Sequence, residues 1–182
     1  MNEKEETLSL AEQGLPDAQF VVGCWYLVGH EGYLKDDTKA CEWFLKAANQ
    51  GHWDAQHNLA HSYENGEGVE LNNEKAFQYY LNNARLWWAP SQYNLGKFYE
   101  EGRGTEKNDE KAFKWYLQSA EQGIDIAQFF AGSSYLQGRG VASNQIEGLK
   151  WLLIASEQNN EFANEALQKL NIGSDLMSAG KT

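Results

Sequence analysis

The 182-residue sequence predicts an all-α fold built from four stacked helix-turn-helix repeats of 36 residues, with a capping helix at each end. Three observations predict it. The first is a set of columns that recur every 36 residues, with one extra residue in the first copy. A small residue returns as Ala18, Ala55, Ser91, Ala127 and Ala163, and eight positions after the first four stand Tyr26, Tyr63, Tyr99 and Tyr135. Gly29, Gly66, Gly102 and Gly138 follow. A second small column, Ala40, Ala76, Ala112 and Gly148, precedes Trp43, Tyr79, Trp115 and Trp151 by three residues. The second observation is helical amphipathicity. At about 100° per residue, positions 18, 19, 22, 23 and 26 share one face of the first helix, and positions 40, 43, 44, 47 and 48 share one face of the second. The third is punctuation: Asp36, Asn72, Asn108 and Asn144 are helix N-cap residue types placed four before the second small column.

Taken in order, residues 1–14 form an N-terminal cap whose Glu5 to Gln13 reads as a lone second helix. Residues 15–158 hold the repeats, at about 15–50, 51–86, 87–122 and 123–158. The extra residue falls between Gly29 and Gly32, where the other copies have Gly66-x-Gly68, Gly102-x-Gly104 and Gly138-x-Gly140, so it lengthens a loop. Gly14, Gly51 and Gly123 mark left-handed turns into the next repeat. Trp87 and Asn159 stand where this turn wants glycine, and a left-handed non-glycine residue costs about 1 kcal/mol. Gly148 in a helix interior marks the last repeat as the least stable. Residues 159–171 form a C-terminal capping helix, and 172–182 a tail expected to lack order.

The segment from Ser91-Gln92-Tyr93-Asn94-Leu95-Gly96 to Gly102-Arg103-Gly104, followed by Lys111-Ala112-Phe113-Lys114-Trp115-Tyr116, resembles the Sel-one-like repeat family, relatives of the tetratricopeptide repeats. The resemblance implies an α-solenoid whose first helices line a concave groove and which holds other proteins together. It also implies two alternatives. Small members of the family serve as immunity proteins that neutralise a cognate toxin, and a cysteine-rich secreted branch is linked to β-lactamase activity. That branch carries a disulfide in its repeats, whereas this chain has two cysteines in all, Cys24 and Cys41.

Composition narrows the function. A net charge of −11 repels nucleic acid and anionic membranes, and acidic residues suit a basic protein partner. No apolar stretch approaches 18 residues, and the polar start Met1-Asn2-Glu3-Lys4-Glu5-Glu6 does not read as a secretion signal, so a cytoplasmic location is expected. No nucleophile, base and orienting group stand out as a set, so no enzyme activity and no cofactor are expected. Ser178 and Lys181 have a Ser-x-x-Lys spacing, and Ala179-Gly180-Lys181-Thr182 imitates the end of a phosphate loop, but neither has the surrounding elements such sites need. His57, His61 and Glu64 have the helical spacing of a metal-dependent hydrolase, the remaining enzymatic alternative, although the internal glutamate of a zinc-protease helix is missing.

The expected working surface lies opposite the buried stripe of the first helices. Its columns are Phe20, His57, Tyr93 and Phe129; Cys24, His61, Lys97 and Ser133; and Leu27, Glu64, Glu100 and Leu136. Phe20, His57, His61, Tyr93, Lys97, Glu100 and Phe129 are the predicted contacts to a protein or peptide partner, with rings at position 20 also able to pack on neighbouring helices. A second candidate is an edge of Trp53, Trp87 and Trp88 beside His52, read either as packing at helix ends or as a contact to a partner or a second copy. The chain is expected to be a monomer or to associate weakly end to end.

Overall fold

The side chains of Asp36, Asn72, Asn108 and Asn144 accept hydrogen bonds from the backbone N–H three residues on, fixing the start of every second helix. In a computed structural model, which describes residues 2–170, ten α-helices and no strand are found among the described residues. They are α1 (Glu3–Glu12), α2 (Pro16–Val28), α3 (Asp37–Ala48), α4 (Trp53–Asn65), α5 (Asn73–Arg85), α6 (Ala89–Glu101), α7 (Asp109–Glu121), α8 (Asp125–Gln137), α9 (Gln145–Glu157) and α10 (Glu161–Lys169). The expected tail, with Ser178 and Lys181, lies outside the described residues.

The chain divides into two units. One comprises residues up to Leu86 with Arg103–Thr105, and the other Trp87–Gly102 with the residues from Glu106 onward. In the first unit, α1 packs on α2, α2 pairs with α3, α3 packs on α4, and α4 pairs with α5. In the second, the α6–α7 and α8–α9 hairpins pack through α7 and α8, and α10 closes α9. The repeat columns supply the core. Ala55, Ala127 and Ala163 are completely buried, as are Ala76 and Ser91.

The largest buried side chains of the second helices are Phe44, Tyr80, Tyr116 and Leu152, one position after the recurring Trp43, Tyr79, Trp115 and Trp151. The latter are only half-buried, and Lys46 lies 3.6 Å from the centre of the Trp43 ring. Gln19 and Gln128 sit on the buried face because each donates to a carbonyl ending the preceding second helix, Ala11 and Ala120. Leaving such a buried acceptor unpaired costs about 1–3 kcal/mol.

Two kinds of turn recur along the chain. Gly14, Gly51 and Gly123 have φ of +97°, +88° and +94°, and Trp87 and Asn159 keep a left-handed backbone at +64° despite their side chains. Trp87 is 67% exposed, so it does not fill the space of the missing glycine. The second glycine of each Gly-x-Gly touches the neighbouring second helix: a Cβ on Gly68, Gly104 or Gly140 would lie 2.2, 2.3 or 2.0 Å from the backbone oxygen of Asp37, Asn73 or Asp109. No side chain fits there.

Gly148 packs closely as well. A Cβ at this position would come within 2.7 Å of the Leu136 side chain and 3.0 Å of the Gly132 carbonyl oxygen, so α8 and α9 meet through a glycine pair.

Candidate functional site

Polar groups on the first helices have two fates, and the structure separates them. Tyr80 donates to Glu64 at 2.8 Å, and Arg103 from the next repeat's loop donates to the other Glu64 oxygen at 2.8 Å. Tyr116 donates to Glu100 at 2.6 Å, and Arg139 reaches the same carboxylate. Burial, together with the facing carboxylate, pushes both tyrosine hydroxyls well above the usual phenol range. Glu100 therefore holds repeats together inside the protein, which corrects its place among exposed partner contacts. Glu64 is committed in the same way, and among the described residues no group of three or more His, Cys, Asp and Glu side chains is placed to hold a metal ion. The metal set His57, His61 and Glu64 is not assembled.

The ring column is largely packing. Phe20 stacks on His52 with centroids 4.6 Å apart and lies 5.7 Å from Phe44. His52 caps α4 through Nδ1, which accepts from the Ala55 N–H. Tyr93 packs against Tyr116 and Phe130 at 5.9 Å each, and Phe129 against Phe130 and Phe162. His57 meets Tyr80 edge-on at 5.7 Å, and burial, with the nearby His61 adding to it, holds its pKa below the ordinary histidine value. His61 is exposed, with Nδ1 3.6 Å from a Glu67 carboxylate oxygen, and Lys97 lies 5.9 Å from the centre of the Tyr93 ring. Cys24, on the His61 column, is half-buried against the α3–α4 core, and burial and the charge of Asp54 push its thiol up to about 11. Both cysteines are free thiols.

The tryptophans behave differently from one another. Trp53 is partly exposed while its carbonyl accepts from Asn83, Trp88 is half-buried at the start of α6, and Trp87 is open to solvent. Within the first unit, an open pocket of roughly 300 Å³ is lined by Leu27, Phe44, His57, Asn58, His61, Ser62 and Glu67. Of these, only His57 and His61 are predicted contacts. Glu67 is detectable in the sequence once the columns are compared, because it stands where later repeats have Arg103 and Arg139, whereas Asn58 shares its column with Asn94 and gives no such signal.

Helical hairpins joined by tight glycine turns define an α-helical repeat protein. The Sel1 repeat pattern matches residues 16–52, 53–82, 89–124 and 125–160, and the chain belongs to the Sel1 repeat family, whose members are typically protein-interaction modules. It is similar to c5321, a protective antigen present in uropathogenic Escherichia coli strains, with 35% identity, a TM-score of 0.85, and coverage of 90% of this chain and 35% of that one. A Sel1 repeat protein from Oxalobacter formigenes is 35% identical with a TM-score of 0.77, over 83% of this chain and 62% of that one. Over 49 residues the chain is 45% identical to the chitin synthase regulator SKT5 of Saccharomyces cerevisiae, covering 26% of this chain and 7% of the regulator. The chain thus spans less than a tenth of that curated relative's length. Among the described residues, no helix is long and apolar enough to cross a membrane.

Proposed function

We propose that this chain is a non-enzymatic interaction module that binds a protein or peptide partner on the exposed side of its first helices, with His57 and His61 contributing in the first unit and Lys97 in the second. The observation that carries the reading is the open pocket beside His61, on a face where Glu64 and Glu100 are engaged inside the protein. Its lining mixes an apolar base with hydrogen-bonding and charged side chains, the composition that fixes the orientation of a bound side chain. Phe20, Tyr93 and Phe129 act mainly by packing behind this surface. The net charge of −11 favours a protein partner over nucleic acid or an anionic membrane. The unpaired thiols suit a reducing, cytoplasmic setting.

The test uses His61→Ala with Lys97→Glu, which leaves the core columns intact. Affinity capture from a native lysate is expected to lose a specific protein in this variant while its melting temperature stays within a few degrees of the parent. Retention of the same proteins would refute the first-helix surface.

A further inference from the structure

The pocket in the first unit occupies the place where the following repeats keep an arginine of their own. In those repeats a carboxylate on the first helix, a tyrosine on the second and an arginine from the next loop join as Glu64, Tyr80 and Arg103, and again as Glu100, Tyr116 and Arg139. The matching residues between the first and second repeats are Leu27, Phe44 and Glu67. All three line the pocket. The Phe130 ring that stacks on Tyr116 at 4.9 Å has Asn94 as its counterpart in the preceding repeat and Asn58 beside the pocket. The open pocket of roughly 300 Å³ therefore lies where the arginine column carries a carboxylate instead.

We propose that this pocket receives an arginine side chain from a protein partner. Leu27 and Phe44 supply apolar surface for the methylene stem. The Glu67 carboxylate pairs with the guanidinium, exchanging its 3.6 Å contact with His61 for a charge-assisted hydrogen bond. Asn58 and Ser62 offer oxygen acceptors to the remaining N–H groups. Burial lowers the His57 pKa, which disfavours a competing positive charge beside the guanidinium. The chain's negative charge steers such a partner toward it. This inference rests on the interaction-module reading and specifies the chemistry of the partner.

The test is titration of the isotope-labelled full chain with acetyl-arginine amide and, separately, acetyl-citrulline amide, which keeps the shape and loses the charge. Saturable NMR shifts at the Glu67 backbone amide and the Asn58 side-chain amide are expected with the arginine probe. The citrulline probe should bind about tenfold more weakly, and Glu67→Gln should weaken arginine binding by a similar factor. The double variant Leu27→Glu with Glu67→Arg supplies the carboxylate–arginine pair of the later repeats without their tyrosine donor, so it should fill the pocket and lose probe binding. Equal shifts with both probes, absence of saturable shifts, or unchanged binding in Glu67→Gln would overturn the arginine site. If the probe fails while His61→Ala with Lys97→Glu still releases a captured partner, the interaction surface stands and the arginine pocket alone falls.

Discussion

Trp87 and Gly140 are opposite cases of the same backbone constraint. Trp87 holds φ of +64° while its ring is largely in water, so Trp87→Gly relieves a left-handed non-glycine residue and gives up little packing. A stabilisation of about 0.5–1 kcal/mol is expected, read as a higher urea midpoint. At Gly140, φ is also positive and a Cβ would sit 2.0 Å from the Asp109 carbonyl oxygen. Gly140→Ala combines strain with a backbone clash, and about 2 kcal/mol or more of stability should be lost. Histidine 57 adds a pH dependence. Its folded pKa lies below the unfolded value, so its neutral form is favoured by folding. The contribution is complete above the ordinary histidine value of about 6.5 and is lost as pH falls through that value toward the depressed folded one. Thermal melts between neutral and mildly acidic pH should show this loss in the parent and a smaller one in His57→Gln. An equal slope in both would assign the acid sensitivity elsewhere.

Elements rather than single residues explain why the last hairpin contains Gly148. On helix propensity alone, Gly148→Ala should stabilise α9 by about 1 kcal/mol. The overpacking cost against Leu136 and the Gly132 carbonyl is about 1–3 kcal/mol, so the net expectation is destabilisation, measurable by chemical denaturation. A sequence reading that takes Gly148 as a weak point rests on propensity alone and leaves this packing out. The caps and turn glycines were legible because they act within four residues of one chain segment: Asp36 binds the N–H of Lys39. Pairing between elements was not. Tyr116, Glu100 and Arg139 are separated by 16 and 39 residues, and nothing local distinguishes a glutamate that faces a partner from one that accepts a buried tyrosine. The rings of Phe20 and Tyr93 were similarly ambiguous, since their position on the helix is compatible with both solvent and the neighbouring second helix. Tyr116→Phe, which removes one donor to Glu100, should cost about 1 kcal/mol or somewhat more, with a smaller additional effect when Arg139→Ala is already present.

For the whole molecule, the family architecture was readable from periodicity, while the candidate pocket is set by a few differences between the chain's own repeats. Glu67 departs from Arg103 and Arg139, and Leu27 from Glu64 and Glu100, and with Asn58 they line a pocket that no single column announces. Such exceptions are where function resides on a repeat fold, because the regular columns are consumed by stacking. An acidic chain presenting this surface should bind its partner with an affinity that falls as salt is raised, since exposed charges contribute through a screened field. The most direct test of the account is affinity capture with the parent chain and with His61→Ala plus Lys97→Glu, compared by mass spectrometry at matched folding. The account predicts a specific protein bound by the parent and released by the variant. The same set of proteins bound by both would contradict it.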